Sequence, residues 1–328
     1  MTRQPKVTFQ VDLDGSWVLL QWLGLAETGS AKRNDADPLF EQGIPRSLEL
    51  FARHDVSATY FVNGLDLLND RKRRWLEQVA AAGHEIASHG WDHSYFSQLD
   101  HAARERQLSK SARVIREVFG QAPKGFRAPG YDFDADGLEQ LAAGGYAYDC
   151  SALPTSIGPA LEWSQRLMTG RRPVAYPWWQ QLFGPTSPYR PNAQSLYRDT
   201  QSGVNGGSDI YEIPVSVFPW LRLPLSFSYG VLLGERYLRA GLSAALADAG
   251  TVNFLFHLID FAGPVEHPRL RKLPGASMPL ERRLGLADKV VRDARERAEV
   301  MRTDALWESL AGAKAEAPAL LVSAGGMA

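Results

Sequence analysis

The first 150 residues alternate short runs typical of buried strands with longer runs that have the apolar spacing of helices. Several helix-like runs end at glycines such as Gly83 and Gly120. The strand-like runs are "KVTFQVDLD", "SATYFVNG", "HEIASHG", "KGFRAPGYDF" and "YAYDCS". Strands that alternate with helices form parallel sheets with crossover helices, and a βα barrel carries its active site on the loops after the strands. The alternation predicts an α/β fold and directs attention to those loops.

Composition narrows the function classes. The 328 residues carry a formal net charge of −1, with 36 basic and 37 acidic side chains, so nothing indicates a nucleic-acid partner. Cys150 is the single cysteine, which rules out an intramolecular disulfide and a cysteine-based zinc site. The longest apolar stretch, Ile213 to Gly234, holds three prolines and an arginine and is a poor membrane span. No secretory apolar region precedes the first strand, so we expect a cytoplasmic protein.

The alternation breaks after the fifth strand-like run. Residues 152–207 are rich in Pro, Gly, Trp, Tyr and Ser and show no clear period, which we interpret as a substrate-covering insertion, with a purely structural excursion as the alternative. A strand, a helix and a buried strand then follow, before a charged amphipathic segment. We expect a barrel over residues 1–275, a helical extension over 276–312 and a frayed tail over 313–328.

Four side chains at strand ends are candidate metal ligands or bases. His89 and His93 stand four residues apart in "GHEIASHGWDHSYF"; on a helical turn their imidazoles share one face and converge on one ion, although two surface histidines would give the same spacing. Asp12 and Asp14 in "VDLDG" share one face of a strand. Carboxylates there need a cation or a hydrogen-bond network, unless the turn is simply exposed. One could bind a metal while the other stays free as a base.

The order of these motifs along the chain resembles the polysaccharide deacetylases of carbohydrate esterase family 4, the NodB-homology domain. The resemblance covers roughly Lys6 to Pro264, apart from the aromatic insertion, and five motifs in order are far more specific than any one. They are "DLDG", "GHEIASHGWDH", "RAPG", "YDCS" and "FLFHLIDF". The resemblance implies a deformed (β/α) barrel of the seven-stranded type and metal-dependent hydrolysis of an amide.

The resemblance also implies the ligands of the metal. Asp14, His89 and His93 would hold one divalent ion. Two imidazoles and a carboxylate leave coordination positions open, as catalytic sites require. Zinc is the first expectation, and cobalt, nickel, iron or manganese also suit nitrogen and oxygen ligands.

Catalytic roles follow from the same resemblance. Asp12 would be the general base, Arg127 the arginine that pairs with it, and His257 the general acid that protonates the leaving amine. A backbone N–H near Gly130 would stabilise the oxyanion, and Asp149 would orient Arg127. The alternatives are a plain surface arginine and a satisfied core histidine, and both are disfavoured within this motif order.

Three motifs depart from the family pattern. The first is "DLDG" rather than an adjacent acidic pair. The third lacks a tyrosine directly after proline, although Tyr131 follows one place later, and the fourth is reduced to "YDCS". These changes affect the substrate side more than the metal side. Tyr131, and Trp220 in the apolar "FPWLRLPLSFSYG", are assigned to substrate contact.

The expected substrate is an N-acetylated sugar, and a nucleotide- or lipid-linked one fits better than a finished polymer. The aromatic insertion and the apolar stretch put apolar surface near the pocket mouth, which suits an amphiphilic ligand, peripheral membrane contact or a homo-oligomer. Family relatives that remove formyl groups or open ring amides such as allantoin give one alternative. A catalytically inactive carbohydrate-binding module is the other, and it is disfavoured because the whole set of site residues is present. The sequence leaves the acyl group, the metal and the oligomeric state open.

Overall fold

A computed structural model describes residues 4–25, 35–169, 178–200, 208–263 and 268–315. Its strands are β1 (Lys6–Asp12), β2 (Thr59–Val62), β3 (Glu85–Ser88), β4 (Gly125–Phe126), β5 (Tyr148–Asp149), β6 (Pro191–Asn192), β7 (Ser195–Asp199), β8 (Tyr211–Glu212), β9 (Val217–Phe218), β10 (Leu223–Pro224), β11 (Thr251–His257) and β12 (Glu299–Met301). Its α-helices are α1 (Ser16–Trp22), α2 (Pro38–Arg53), α3 (Asp70–Ala81), α4 (His101–Phe119), α5 (Ala135–Ala143), α6 (Gly158–Thr169), α7 (Trp178–Phe183), α8 (Phe227–Leu233), α9 (Glu235–Ala249), α10 (Pro274–Ser277), α11 (Leu280–Arg297) and α12 (Thr303–Ala315).

Seven parallel strands form one curled sheet in the order β11–β1–β2–β3–β4–β5–β8. The chain after β8 bridges its outer edges: the Ser216 N–H donates to the Asn253 carbonyl at 3.1 Å, and Ser226 forms a bridge with Leu255. The predicted α/β fold with a deformed seven-stranded barrel is confirmed. All seven carboxyl ends meet at one rim, because the strands are parallel.

Alternation along β1 separates its two faces. Val7, Phe9 and Val11 pack into the main apolar core with residues of α2 and α9. Gln10 and Asp12 point into the barrel, where they contact Cys150 and Arg127, the residues that directly follow β5 and β4. The inner face of β1 is therefore polar and ends at the rim with Asp12.

The charged segment near the carboxyl terminus differs from the single helical stretch that we expected. A short strand, β12, separates α11 from α12 and pairs with Lys6 to Thr8 of β1. That stretch of β1 has an open edge, because β2 begins only opposite Gln10. Beyond β12, α12 inserts Leu306 into the barrel interior, where it is fully buried. Residues 316–328, most of the predicted frayed tail, lie outside the described residues.

The aromatic insertion is more regular than its composition predicts. Its described part forms α6, α7 and the antiparallel pair β6–β7, while residues 170–177 and 201–207 lie outside the described residues. None of the helices in the described part of the chain is long and apolar enough to cross a bilayer.

Candidate metal centre

Asp14, His89 and His93 converge at the carboxyl rim of the barrel. One ligand atom from each lies within 4.8 Å of the other two. His93 Nε2 is 3.3 Å and His89 Nε2 3.7 Å from Asp14 Oδ1. All three side chains are buried, so three donor atoms face one another with little access to water.

The two histidines do not share a helical turn, contrary to the expectation from their spacing. The chain from His89 to His93 forms bends, and Gly90 (φ 79°) and His93 (φ 57°) adopt left-handed conformations. The Gln107 side chain from α4 accepts hydrogen bonds from the Trp91 N–H at 2.9 Å and from the next N–H at 3.2 Å. The imidazoles therefore converge because of a tight loop that α4 holds in place.

A hydrogen bond fixes the tautomer of His89. Its Nδ1 lies 2.8 Å from the backbone carbonyl of Arg127, and because a carbonyl only accepts, Nδ1 carries the proton. The Nε2 lone pair then faces Asp14. Burial lowers the pKa of His89 below its ordinary value, although the nearby Asp12 and Asp14 act to raise it. A neutral imidazole with its lone pair directed at the centre is the form that binds a metal.

Asp14 supplies the clearest sign of a missing partner. Its Oδ1 is buried and accepts no hydrogen bond from the part of the chain that the structure describes. Burial raises the pKa of Asp14, but the nearby imidazoles, above all His93, bring it below its usual range. An ionised carboxylate with an unsatisfied buried oxygen beside two imidazole nitrogens fits a divalent cation.

Asp12 lies next to this centre and is paired with Arg127. The Arg127 guanidinium is fully buried and donates to Asp12 Oδ1 at 2.8 Å. It also donates to the Cys150 carbonyl at 3.0 Å and to the Gln10 side chain. Burial lowers the pKa of Arg127, but the Asp12 carboxylate more than offsets this and the pKa is raised. The guanidinium therefore keeps its positive charge in the barrel interior.

His257 lies beside Asp12 across the sheet. The two residues are direct partners in the parallel pairing of β1 with β11, so their side chains point to the same face. The His257 N–H donates to the buried carboxylate of Asp260 at 2.7 Å, which fixes the end of β11. The structure thus brings together at one rim the proposed base, acid, arginine and metal ligands.

Asp149 is not among the direct hydrogen-bond partners of Arg127 in the described part of the chain. Its link to that residue runs through Ser151, whose hydroxyl accepts from the Ala128 N–H at 2.8 Å. Asp149 lies on the opposite face of β5 from Cys150, because side chains alternate along a strand. There it accepts a hydrogen bond from the Ser151 hydroxyl at 2.6 Å and lies beside Glu212, its partner on β8. Burial raises the pKa of Asp149, and burial together with the Asp149 charge raises that of Glu212 well above its ordinary range.

The three residues assigned to the substrate side have different surroundings. Gly130 (φ 61°) and Tyr131 (φ 60°) form a left-handed turn after Pro129. The Tyr131 ring packs against an apolar cluster that includes Leu153. Trp220 lies at the turn between β9 and β10 with 87% of its surface exposed, so its side chain is not packed against the metal centre.

Two residues near the site escaped the sequence analysis. Gln10 accepts a hydrogen bond from Arg127 and donates one to Thr303 of α12 at 3.0 Å. Because Gln10 stands two residues before Asp12 on β1, alternation along the strand predicts that both side chains share one face. Tyr95 has its ring 6.3 Å from the His93 ring. A Cβ at Gly130 would lie 2.5 Å from Tyr95 Cε1, so this ring fills the space beside the glycine.

Comparisons with known proteins show which family the chain resembles. The polysaccharide deacetylase family model matches residues 34–148. A peptidoglycan deacetylase of Helicobacter pylori is 30% identical over 161 residues, which are 48% of this chain and 53% of that protein. The chain spans about half the length of the curated relatives it matches.

Solved structures extend the similarity to nearly the whole fold. A Mycobacterium smegmatis protein assigned to the polysaccharide deacetylases aligns with a TM-score of 0.60 at 19% identity, over 96% of this chain and 93% of that one. An allantoinase aligns with a TM-score of 0.58 at 16% identity, over 95% and 92% of the two chains. At these identities the likeness supports the fold alone. Together with the family match over residues 34–148 and the curated relatives, it shows that the chain resembles the polysaccharide deacetylases.

Proposed function

We propose that this protein is a metal-dependent amide hydrolase that removes the acetyl group from an N-acetylated sugar. The observation that carries the proposal is the convergence of Asp14, His89 and His93 beside the buried Asp12–Arg127 pair and His257. The resemblance to the polysaccharide deacetylases supports the reaction type. A binding module without catalysis would have no need of a base and an acid next to its metal ligands.

Asp14, His89 and His93 would hold one divalent ion, with zinc as the first choice and cobalt, nickel, iron or manganese as alternatives. A cation bound there supplies a Lewis acid for the amide carbonyl and lowers the pKa of water. Because His89 Nδ1 is held by the Arg127 carbonyl, its Nε2 needs no rearrangement before it binds. The loop that positions His93 serves the same purpose.

Asp12 and His257 would divide the proton transfers. Asp12 accepts the proton of the attacking water, while the Arg127 guanidinium compensates the carboxylate charge. His257 donates a proton to the leaving amine from the neighbouring strand. A backbone N–H at the Gly130 turn would stabilise the developing oxyanion.

We extend the proposal to a lipid-linked sugar substrate, because apolar surface lies beside the rim. The exposed side chains, on α6, α7 and the β9–β10 turn, are Trp163, Leu167, Trp179, Phe183, Trp220 and Leu221. These elements are hydrogen bonded together, for example by Arg222 of the turn to the Gly184 carbonyl after α7. On its inner face, α6 places Leu161 in the same apolar cluster as Tyr131. The six side chains, here called the apolar rim, could therefore contact an acyl chain or a bilayer surface while the sugar reaches the site.

The metal and the reaction are tested together. The purified protein should contain one divalent ion per chain by elemental analysis, and it should release acetate and a free amine from one of a panel of N-acetyl sugars. His93→Ala should lose most of the metal and nearly all turnover, because one of three ligands is gone. Full metal occupancy in that variant contradicts the ligand assignment. The panel should also contain an N-formyl sugar and a cyclic amide. Release of formate, or opening of the ring, would show that the substrate is one of these and not an N-acetyl sugar.

The apolar rim is tested with two substrates that share one N-acetyl sugar, one small and one carrying a lipid. A Trp163→Ser/Leu167→Ser variant should lose far more kcat/KM on the lipid-carrying substrate, since only that substrate uses remote binding energy. Leu68→Ser is the matched control, because Leu68 is an exposed leucine outside the apolar rim. Equal losses on both substrates would contradict the lipid assignment. A change in oligomeric state in the variant would point to a dimer surface instead.

A further inference from the structure

A buried ion triad lies directly behind the loop that follows Asp14. The Lys72 ammonium is 2.8 Å from the Asp37 carboxylate and 2.6 Å from the Asp66 carboxylate. The Trp17 indole N–H also donates to Asp66, at 2.7 Å. All three charged side chains are almost completely buried. Buried charges are costly unless they are paired, so the members of the triad hold one another in place.

The triad contacts the two residues that follow Asp14. Asp37 accepts hydrogen bonds from the Ser16 N–H at 3.0 Å and from the Ser16 hydroxyl at 2.7 Å. Gly15 lies against the triad: a Cβ there would lie 2.6 Å from Asp37 Oδ2 and 3.1 Å from Lys72 Nζ. The φ of Gly15 is −68°, which any residue adopts, so space rather than backbone freedom requires the glycine.

The other side of Asp14 is held by the sheet. The Leu13 N–H donates to the Phe61 carbonyl at 3.1 Å. Asp14 therefore stands between a backbone anchored by β2 and a backbone anchored by the triad. Its carboxylate has little freedom to leave the position where it faces the two imidazoles.

We infer that the Asp37–Lys72–Asp66 triad positions the metal ligand Asp14 by fixing the backbone at Gly15 and Ser16. The inference rests on the proposed metal site and deepens it, since Lys72 touches neither the ligand atoms nor the space between them. Residues that orient metal ligands typically change metal affinity by about 10- to 100-fold when they are removed. A triad that served packing alone would change unfolding and leave metal affinity as it is.

The first test measures Zn²⁺ affinity by titration calorimetry on the full chain after removal of metal by a chelator. Lys72→Met should weaken Zn²⁺ binding by about 10- to 100-fold, and Lys72→Arg should recover part of the loss. Lys289→Met is the matched control, because Lys289 pairs with Glu235 at 2.6 Å on the surface. The control should bind like the wild type. Equal affinity in Lys72→Met and Lys289→Met overturns the inference.

A second variant keeps the test decisive, since Lys72→Met leaves two buried carboxylates unpaired and can fail to fold. Gly15→Ala keeps all charges but inserts a methyl group between the loop and the triad. It should weaken Zn²⁺ binding at least about 10-fold, measured at a temperature where circular dichroism shows that the variant is folded in chelator. Gly285→Ala is its control, because a Cβ there meets no atom within 4 Å.

The outcomes separate this inference from the proposed function. Wild-type protein that binds neither Zn²⁺ nor cobalt, nickel, iron or manganese would contradict the metal site itself. Wild-type binding with unchanged affinity in Gly15→Ala would contradict only the role of the triad.

Discussion

Carboxyl groups are buried at both ends of the barrel, but their surroundings differ. At the amino end, Glu85 accepts hydrogen bonds from the Thr59 hydroxyl at 2.7 Å, the Tyr148 hydroxyl at 2.5 Å and the Asp304 N–H at 3.0 Å. At the carboxyl rim, Asp14 Oδ1 is buried and accepts no hydrogen bond from any residue described. The amino end is covered by α12, whereas the rim carries the proposed metal ligands.

The paired carboxylate at the amino end stabilises the fold, whereas the unpaired carboxylate at the rim is available to bind a ligand. Buried polar atoms are almost always paired in folded proteins, so an unpaired carboxylate oxygen beside two imidazoles points to a bound ion. At the amino end the partner is α12 of the same chain. At the rim the donor set points to a cation. Changes at the rim should therefore alter binding and rate, and changes at the amino end should alter stability.

The largest expected effect is on rate at the rim. Asp12→Asn should lower kcat by roughly 10²- to 10⁴-fold, the usual contribution of a positioned base. The amide oxygen can still accept the Arg127 bond, so the metal content should stay near that of the wild type. Steady-state kinetics and elemental analysis on the same preparation check this. A variant with near wild-type rate would place the base elsewhere.

The next effect is on stability at the amino end. Leu306 of α12 is fully buried among the interior residues of the barrel, so Leu306→Ala should lower the free energy of unfolding by about 2–5 kcal/mol. Zn²⁺ affinity should stay unchanged at temperatures where the variant is folded. Urea unfolding and calorimetry measure the two quantities. A loss of metal affinity without loss of stability would contradict the division between the two ends.

A pH dependence should follow from Glu85. Burial, together with the charge of Asp304, raises its pKa from the ordinary 4.5 to about 7. A raised carboxyl pKa means that the folded state holds its proton longer than the unfolded state. The bound proton of Glu85 therefore adds to the free energy of unfolding. This contribution is fully present below pH 4.5 and is lost as the pH rises to about 7.

Glu85→Gln removes this titration. The variant should therefore become more stable relative to the wild type as the pH rises through that window, because only the wild type loses the contribution of the Glu85 proton. Urea unfolding at pH 5 and at pH 7.5 measures the change. Glu49→Gln on the exposed side of α2 is the control and should show no such trend. A difference between Glu85→Gln and the wild type that does not vary with pH would refute the assignment.

The smallest expected effect is at the apolar rim. Trp220→Ser should change the free energy of unfolding by no more than about 0.5 kcal/mol, as expected for an exposed side chain. Activity on a small N-acetyl sugar should also be kept. Thermal unfolding and a rate assay check both. A large loss of stability would mean that the indole is covered in solution, for example by a second copy of the chain.

Much of the site was predictable from the sequence. Alternating strand-like and helix-like segments predicted a parallel sheet, and parallel strands bring their carboxyl ends to one rim. The order of the motifs then placed Asp14, His89, His93 and His257 on neighbouring strand ends. The remaining polar partner on β1, Gln10, follows from alternation with Asp12 and could have been found the same way.

Other features were decided by the tertiary structure. The left-handed turn at Gly90 depends on a glutamine from α4, and the place of Asp149 depends on which face of β5 lies inside the barrel. The Asp37–Lys72–Asp66 triad joins segments far apart in the chain. Local periodicity carries no information about such pairs, because crossover packing determines which side chains meet. The sequence by itself determined the alternation of strands and helices and the types of side chain proposed as metal ligands. The packing of helices around the barrel decided how those side chains are held.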